Sequence, residues 1–465
     1  MLGLIDFSGR PFHFIGIGGI GMSAIAHVLV KQGYAVSGSD LNQNRITSQL
    51  QDLGVIIYEG QSADNISALA QPQIICSTAI SDRNPEFQAA KALDLPIFHR
   101  SDVLAALISQ FEGIAVAGTH GKTTTSSLTA YLFLKAGLDP TIIVGGEVSA
   151  WKGNARMGKS KYLIAEADES DGSLVKFHPH LGAITNIELD HPDHYQNLEQ
   201  VVETFQTFAK QCDILVACID DPNICAHIQP DITYSLSAAK NADYYPTNVQ
   251  YNANGTVATI VEKGEILGQI ELRILGKHNL SNALAAISIA RYAEIEWSSI
   301  VAAMAEFIGA SRRFELKGNQ SGIVFVDDYA HHPSEIRATL SSARLQSQNK
   351  TQSKIVAIFQ PHRYSRTQTL LSDFSQAFGD ADTVVVTDIY AAGEKDDGSI
   401  TGAQVAAAIA ATHPHVSYQP SLPLVQTFLT ENLKSGDLAI FLGAGNLNQI
   451  IAPTIEAMAN CSTKK

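Results

Sequence analysis

The stretch Ile114-Ala-Val-Ala-Gly118-Thr-His-Gly-Lys-Thr-Thr124 indicates both the fold class and the chemistry of this chain. Residues 114–117 form a short apolar run typical of a buried strand, and residues 124–135 have the apolar spacing of a helix. A glycine loop between such a strand and helix directs backbone N–H groups toward a phosphate. We therefore predict a phosphate-binding loop in an α/β sheet.

The roles of the loop residues follow from this geometry. The lysine should reach the terminal phosphates of a nucleotide, and the threonine after it should hold Mg²⁺. Val116 stands where the usual loop has another glycine, so the match is incomplete. The alternative, a glycine turn with a solvated lysine, does not require the flanking strand and helix. The predicted nucleotide contacts are Gly118, Thr119, His120, Gly121, Lys122, Thr123 and Thr124.

Length and composition limit the class of protein. A chain of 465 residues predicts roughly three domains. With 45% apolar and 17% charged residues the chain is globular, and its net charge of −14 argues against nucleic acid or an acidic membrane surface as partner. We expect no membrane insertion, because no apolar run reaches the ~18 residues of a membrane span. The N-terminus lacks the basic start of a signal peptide, and the five cysteines show no C-x-x-C spacing. A cytoplasmic protein is therefore expected.

The first glycine loop along the chain, Gly16-Ile-Gly-Gly-Ile-Gly21, follows the predicted strand Phe12 to Ile15. Asp40 lies about twenty residues further on, which is typical of a dinucleotide site where the acid holds a ribose hydroxyl. The same geometry suits any nucleotide diphosphate, and a purely structural turn is the alternative. Ligands also bind where strands end in such sheets. The predicted contacts are Gly16, Gly18, Gly19, Gly21, Asp40, Ser77, His99 and Arg100.

Two polar loops follow strands in the middle of the chain. Glu166-Ala-Asp-Glu-Ser-Asp171 offers the carboxylate oxygens that Mg²⁺ prefers, and Glu166 is the first choice as ligand. The alternative is a solvated acidic turn. Asp190, His191 and Asp193 could supply another ligand or orient water on a second metal ion. The histidines could suggest zinc, but no compact set with thiolates accompanies them.

Later segments add amide and guanidinium groups. Asn279 and Asn282 share one face of a predicted helix, where they suit either an adenine edge or helix capping. One guanidinium of Arg312-Arg313 could cover phosphates. Beyond residue 318, strands alternate with helices, including one near 367–378, and polar runs such as residues 327–333 and 360–366 follow the strands. This third array should bind a small polar substrate.

Taken together, these motifs resemble the Mur ligase family over essentially the full chain. The residues that carry the resemblance are Gly16 to Gly21, Ala117 to Thr123, Glu166 to Asp171, Asn186 with Asp190-His191, Gly276 to Asn282, Arg312 to Phe314 and Asp327 to Pro333. The resemblance implies three α/β domains: a Rossmann-like UDP-sugar domain over 1–112, a P-loop-type ATP-binding domain over 113–318, and a Rossmann-like amino-acid domain over 319–465.

By the same resemblance, the reaction joins L-alanine to the lactyl carboxylate of UDP-N-acetylmuramate through an acyl phosphate, using ATP and Mg²⁺. This would be the first peptide step of peptidoglycan precursor synthesis. Asn279, Asn282 and Arg313 would contact ATP. Thr123, Glu166 and His191 would bind the metal ion. The implied catalytic set is Lys122, Glu166, His191, Arg313, Asp328 and His332, in a monomer or homodimer.

Other functions remain open at this level. A relative that adds a peptide or another amino acid would keep every motif named. An NAD-dependent dehydrogenase would explain Gly16 to Asp40 but would leave Lys122 without a role. A P-loop kinase would explain the middle segment but not the two flanking ligand domains.

Overall fold

The computed structural model describes residues 5–347 and 353–462, which fall into two compact units. The first unit comprises Met1–Ile187, Val201–Tyr234 and Ala285–Ile300, and the second comprises the remaining residues. Each unit is built around parallel sheet. The chain is therefore of the predicted α/β class.

The first sheet has five parallel strands in the order β3-β2-β1-β4-β5. Its strands are β1 (Phe12–Ile15), β2 (Val36–Asp40), β3 (Ile56–Glu59), β4 (Gln73–Cys76) and β5 (Ile97–His99). Its helices are α1 (Ile20–Lys31), α2 (Arg45–Asp52), α3 (Ala63–Ser67), α4 (Pro85–Ala92) and α5 (Arg100–Ile108). Every residue of β1 is buried, as expected for a strand with helices on both faces.

The second sheet begins at β6, in the same unit. Its strands there are β6 (Glu112–Ala117), β7 (Thr141–Val148), β8 (Gly153–Arg156), β9 (Tyr162–Glu166), β10 (Leu181–Ile184), β11 (Ile214–Cys218) and β12 (Ile232–Tyr234). The helices are α6 (Lys122–Lys135), α7 (Leu198–Gln211) and α8 (Pro222–His227), with a 3₁₀ turn at Ser173–Lys176. The strand order is β12-β11-β10-β6-β9-β7-β8, and only β8 runs antiparallel to its neighbour. Strand β6 thus lies between β9 and β10, which places their carboxyl ends around the loop that follows β6.

The second unit contains an antiparallel meander and a further sheet. The meander is β13 (Tyr244–Asn252), β14 (Gly255–Glu262) and β15 (Glu265–Leu272), preceded by a 3₁₀ turn at Ala238–Lys240. Two helices come next in the chain, α9 (Lys277–Tyr292) and α10 (Trp297–Glu306). No strands were predicted in this segment from the sequence.

The third sheet has six strands in the order β16-β17-β21-β18-β19-β20, with β16 antiparallel and the others parallel. They are β16 (Glu315–Gln320), β17 (Ile323–Asp328), β18 (Ile355–Phe359), β19 (Thr383–Val386), β20 (Val416–Tyr418) and β21 (Leu438–Leu442). The helices are α11 (Pro333–Ser347), α12 (Tyr364–Thr369), α13 (Leu371–Ser375), α14 (Gly402–Ala410), α15 (Leu422–Asn432) and α16 (Ile451–Ser462), with a 3₁₀ turn at Leu447–Ile450.

Two sequence-based details differ from this structure. The single helix expected near 367–378 is two short helices, α12 and α13, which meet at Leu370 outside the α-helical region of φ and ψ. The boundary at residue 318 falls inside β16, which pairs with β17 in the third sheet.

The remaining general expectations concern cysteines and membranes. Cys76, Cys212, Cys218 and Cys225 are free thiols, and the side chain of Cys461 lies outside the described part of the chain. Among the described residues, no helix has both the length and the apolar character needed to span a bilayer.

Gly38 in β2 offers a test of the packing of the first sheet. A Cβ atom at this position would lie 2.6 Å from Ile17 Cδ1 and 2.7 Å from the carbonyl oxygen of Phe14, which is fixed in β1. We expect Gly38→Ala to reduce the free energy of unfolding by about 1–3 kcal/mol. Gly379→Ala is the control, because nothing lies within 4 Å of its added Cβ. Equal thermal midpoints for the two variants would contradict the packing described.

Candidate active site

The loop of residues 118–121 leaves the carboxyl end of β6 in the second sheet. Gly118 and Gly121 have φ angles of 135° and 84°, a region that favours glycine. A Cβ atom at Gly118 would also lie 1.9 Å from Thr185 Oγ1. Helix α6 begins directly after the loop, at Lys122. Because N–H groups in the first turn of a helix lack carbonyl partners within it, this end can bind an anion.

Asn186, just after β10, holds the middle of this loop. Its Oδ1 accepts a hydrogen bond from the His120 N–H at 2.8 Å, and its Nδ2 donates to the His120 carbonyl at 3.0 Å. The Asn186 carbonyl accepts from the Thr119 N–H at 3.0 Å. The hydroxyl of Thr185 donates to the same His120 carbonyl at 2.6 Å. These four bonds fix the loop conformation without a ligand.

Lys122 forms a part-buried ion pair with Glu169 beside the loop. Its Nζ is 2.8 and 3.0 Å from the two carboxylate oxygens of Glu169, which is 1% exposed. The same Nζ donates to the carbonyls of Gly118 and Thr119, at 2.7 and 3.0 Å. Burial alone would lower the pKa of Lys122, but the charges of Glu169 and Asp168 outweigh it and raise the pKa. Lys122 is therefore charged at neutral pH.

Glu166 ends β9, next to β6. Its Oε2 accepts a hydrogen bond from the Gly145 N–H at 2.9 Å, and the Thr123 side chain also hydrogen-bonds to this carboxylate. Burial raises the pKa of Glu166, while Lys122 and Thr123 oppose the rise. A carboxylate beside a hydroxyl is a hard-oxygen donor set of the kind Mg²⁺ accepts. The residues present therefore fit a magnesium site.

The two aspartates of the acidic loop, residues 166–171, contact residues at the end of β5 and the start of α5. Asp168 Oδ2 accepts a hydrogen bond from Arg100 Nη2 at 3.1 Å. Asp171 Oδ2 lies 3.6 Å from the same nitrogen and 3.5 Å from His99 Nε2. Arg100 Nη1 would lie 3.4 Å from a Cβ atom at Gly21. Arg100 thus lies between the acidic loop and the first glycine loop.

The first glycine loop is folded against the end of β2. The Gly16 N–H donates to the Ser39 carbonyl at 2.8 Å, and the Gly18 N–H donates to Asp40 Oδ2 at 2.8 Å. A Cβ atom at Gly18 would also lie 2.8 Å from that oxygen. Asp40, predicted to hold a ribose hydroxyl, is hydrogen-bonded to the loop itself in this structure.

Ser77 lies in the turn after β4. Its carbonyl accepts a hydrogen bond from the Ile80 N–H at 3.0 Å, and Ile80 Cδ1 would lie 3.4 Å from a Cβ atom at Gly16. This turn therefore packs beside the first glycine loop. Gly19 is the N-cap of α1, so the loop leads directly into that helix.

In the second unit, Asn279 and Asn282 lie together in the first turns of α9, and both are buried. Asn279 Nδ2 donates to the Leu275 carbonyl at 2.7 Å, and Asn282 Nδ2 donates to Asn279 Oδ1 at 3.3 Å. The two amides therefore support the start of the helix and each other. Their contact with adenine stays a prediction.

Asp328 ends β17, in the third sheet. Its two oxygens accept hydrogen bonds from the N–H groups of Phe314 and Ala330, at 2.7 and 2.8 Å. Burial raises the pKa of Asp328 to about 6, although Arg313 opposes the rise. Arg313 Nη1 lies 3.8 Å from Glu335 Oε1. Arg313 and Asp328, both predicted as catalytic, therefore belong to one charged group.

His332 is buried at the start of α11, next to the same group. Its backbone N–H donates to Glu335 Oε2 at 3.3 Å, and its Nδ1 accepts from the Ser334 N–H at 3.3 Å. The Ser334 hydroxyl donates to Glu188 at 2.7 Å, and His332 Nδ1 lies 3.9 Å from this carboxylate. His332 Nδ1 is thus held by the first turn of α11 and lies near Glu188.

A cluster of side chains around Arg366, called here the arginine cluster, was not predicted from the sequence. It contains Asp190, His191, His331 and His362. Arg366 is 2% exposed, and its Nε donates to Asp190 Oδ1 at 2.7 Å. Its Nη1 and Nη2 lie 3.3 Å from His362 Nδ1 and His191 Nδ1, respectively. Burial would raise the pKa of Asp190, but His191 and Arg366 outweigh it and hold the pKa well below its ordinary value. His191, predicted as a metal ligand, lies in this cluster.

Two more histidines complete the cluster. Burial lowers the pKa of His331 to about 4 and that of His362 to about 3, so both rings are neutral at physiological pH. Their ring centroids are 5.7 Å apart, and the Tyr390 ring stacks on His362 at 5.7 Å. One guanidinium among neutral imidazoles can bind the carboxylate of a small molecule. The polar run at 360–366 was the signal for this cluster, but spacing alone did not pair it with Asp190.

Two glycine loops and a lysine–carboxylate pair in a chain of three α/β sheets are typical of a nucleotide-binding protein. Models of the Mur ligase family match all three parts of the chain. The catalytic-domain model matches residues 11–112, the middle-domain model 116–290, and the glutamate-ligase-domain model 312–445. The chain belongs to the Mur ligase family.

Several relatives match almost the full length. The UDP-N-acetylmuramate–L-alanine ligase of Thermosynechococcus vestitus is 60% identical over 460 residues, which cover 98% of this chain and 97% of that protein. The same ligase of Nostoc punctiforme is 56% identical over 474 residues, 98% of each chain. The crystal structure of the UDP-N-acetylmuramate–alanine ligase of Thermotoga maritima matches with a TM-score of 0.81 at 29% identity, covering 98% of this chain and 99% of that one.

The pH dependence of stability tests the burial of Asp328. Its pKa in the folded chain, about 6, exceeds its ordinary value of 3.8, so the folded state binds this proton more tightly than the unfolded state does. The resulting stabilisation is complete below pH ~4 and is lost as the pH rises through about 6. The unfolding free energy of wild type minus that of Asp328→Asn should therefore fall by up to about 3 kcal/mol from pH ~4 to ~7. Urea titrations across this range measure it, and a constant difference would contradict the raised pKa.

Proposed function

We propose that this chain is an ATP-dependent ligase that joins L-alanine to the lactyl carboxylate of UDP-N-acetylmuramate. The observation that carries the proposal is the fixed loop at 118–121 followed by Lys122 paired with Glu169, in a chain that matches ligases of that name over almost its full length. Phosphoryl transfer between two anions needs charge neutralisation and alignment. Lys122 and the N-terminus of α6 can supply both.

For ATP, the proposed contacts are the loop residues 118–124, with Lys122 on the terminal phosphates. Lys122 can exchange the Glu169 carboxylate for phosphate oxygens, because both offer the same type of acceptor. We assign Asn279 and Asn282 to the adenine and Arg313 to the phosphates. Mg²⁺, when bound through Thr123, Glu166 and His191, would neutralise phosphate charge.

For the sugar nucleotide, we assign the diphosphate to the loop formed by Gly16, Gly18, Gly19 and Gly21. The N-terminal end of α1 favours an anion there. Arg100 lies beside this loop and can add a positive charge. Asp40 and Ser77 are assigned to polar groups of the nucleotide, and binding would require Asp40 to exchange its bond to the Gly18 N–H.

The reaction then proceeds in two steps. A lactyl carboxylate oxygen attacks the γ-phosphorus of ATP, the bond from that phosphorus to ADP breaks, and an acyl phosphate forms. The amine of L-alanine attacks the acyl carbon, loses a proton, and expels inorganic phosphate from the tetrahedral intermediate. Lys122 would stabilise charge on the transferred phosphoryl group. We assign Asp328 and His332 to orienting the acyl phosphate and the amine.

The arginine cluster is our assignment for the L-alanine carboxylate. Arg366 is held by Asp190 at 2.7 Å, so its orientation is fixed before the substrate arrives. His331 and His362 are poor bases because burial lowers the pKa of each ring. We therefore assign them to binding rather than to deprotonation of the amine.

Phosphate release is the direct assay of this function. The purified chain is incubated with UDP-N-acetylmuramate, ATP, Mg²⁺ and single amino acids, and we expect phosphate release to require both the sugar nucleotide and L-alanine. Preference for a peptide or a different amino acid would indicate a different member of the family. Turnover without any amino acid, or reduction of NAD⁺, would contradict the ligase assignment.

Removal of Lys122 tests its assigned role. Lys122→Ala should lower turnover by at least about 10²–10³-fold, while binding of UDP-N-acetylmuramate by calorimetry changes little. Lys135→Ala, at the other end of α6, is the control. Because Lys122→Ala leaves Glu169 buried without its ammonium partner, the double variant with Glu169→Gln should be measured as well. Turnover close to wild type in the single and double variants would refute the role.

A further inference from the structure

The hairpin of β7 and β8 contains an irregularity beside Glu166. Its antiparallel register shifts between Ile143 and Val148, so residues of β7 in this interval bulge out of the ladder. Gly145 lies in the bulge, and its N–H donates to Glu166 Oε2 at 2.9 Å. Bulges commonly re-aim groups next to active sites. Here the bulge directs a backbone donor at the carboxylate.

The space beside Gly145 is limited by the same carboxylate that accepts its hydrogen bond. A Cβ atom there would lie 2.5 and 2.6 Å from Oε1 and Oε2 of Glu166. Side chains essentially never approach so closely, so a larger residue would have to displace the carboxylate or the hairpin. Gly153, in β8 of the same hairpin, has nothing within 4 Å of an added Cβ. The restriction therefore concerns position 145, not the hairpin as a whole.

Contacts of Asn154 and Glu147, away from Gly145, hold the hairpin in place. Asn154 Nδ2 donates to the Ile20 carbonyl and lies 3.4 Å from Ser23 Oγ, both in α1. Glu147 forms an ion pair with Arg45. These contacts fix the hairpin against α1 and α2. The clash of a Cβ at position 145 should therefore be relieved by movement of the Glu166 side chain.

We propose that Gly145 is a positioning residue that sets the Glu166 carboxylate for a divalent cation. Its N–H holds Oε2, its missing side chain leaves room for both oxygens, and Thr123 fixes the carboxylate from α6. The inference rests on the proposed function, which assigns Glu166 to Mg²⁺. It goes further because it assigns the orientation of that ligand to a bulge in a different strand.

The test is cation binding, measured without the sugar nucleotide or the amino acid. Mn²⁺ affinity in the presence of ADP is determined by electron paramagnetic resonance for wild type, Gly145→Ala and Gly153→Ala. The added Cβ of Gly145→Ala would push the Glu166 carboxylate away from the N–H at position 145. Loss of such an outer contact weakens metal binding by about 10–100-fold, and we expect this for Gly145→Ala only. The Mg²⁺ concentration for half-maximal turnover should rise in parallel, with KM for UDP-N-acetylmuramate within about twofold of wild type. Unchanged Mn²⁺ affinity in Gly145→Ala would overturn the proposal.

A double-variant cycle separates positioning from general damage. Glu166→Asp shortens the side chain and makes room for the added Cβ, so Gly145→Ala should weaken Mn²⁺ binding much less in that background. An equal loss in both backgrounds would contradict the proposal. If Gly145→Ala alone does not fold, the addition of Glu166→Ala should restore folding, since the atoms that meet the Cβ are gone. An equally unstable double variant would also overturn it. Wild-type turnover with L-alanine reports separately on the proposed function.

Discussion

A lysine ammonium group surrounded by four oxygen atoms is the interaction on which the rest of the site depends. Lys122 can stay charged inside the first unit because Glu169 and the carbonyls of Gly118 and Thr119 surround its Nζ. A buried charge without such partners would be strongly destabilising. A triphosphate offers oxygens of the same kind, so the lysine can change partners at little net electrostatic loss. The ion pair thus keeps the site charged and ordered before a nucleotide binds.

Parallel strands bring the remaining groups to that lysine. Strand β6 lies between β9 and β10, so the phosphate loop is flanked by Glu166 on one side and Asn186 on the other. The third sheet uses the same arrangement, because β17, β21 and β18 are neighbours. Asp328 ends the first of these strands, and the Gly443 N–H after the second donates to the Asp328 carbonyl at 3.1 Å. In both sheets, groups distant in sequence meet because neighbouring strands end at the same edge.

The sequence predicted the parts of the site that are encoded locally. The α/β class, the strand Phe12–Ile15 and the two glycine loops follow from short patterns, because a glycine loop needs its strand and helix next to it in the chain. The pairing of Arg366 with Asp190, 176 residues away, could not be predicted, since no spacing rule relates them. Gly145 was not predicted either, because its importance comes from a register shift that exists only once the hairpin has formed.

A crystal structure of the chain with Mg²⁺ and a non-hydrolysable ATP analogue tests the central claim most directly. We expect the triphosphate to lie on residues 118–123, with Lys122 Nζ ~3 Å from a terminal phosphate oxygen and released from Glu169. A cation should contact Glu166 and Thr123. A nucleotide bound elsewhere, with Lys122 still paired to Glu169, would contradict the role assigned to this loop.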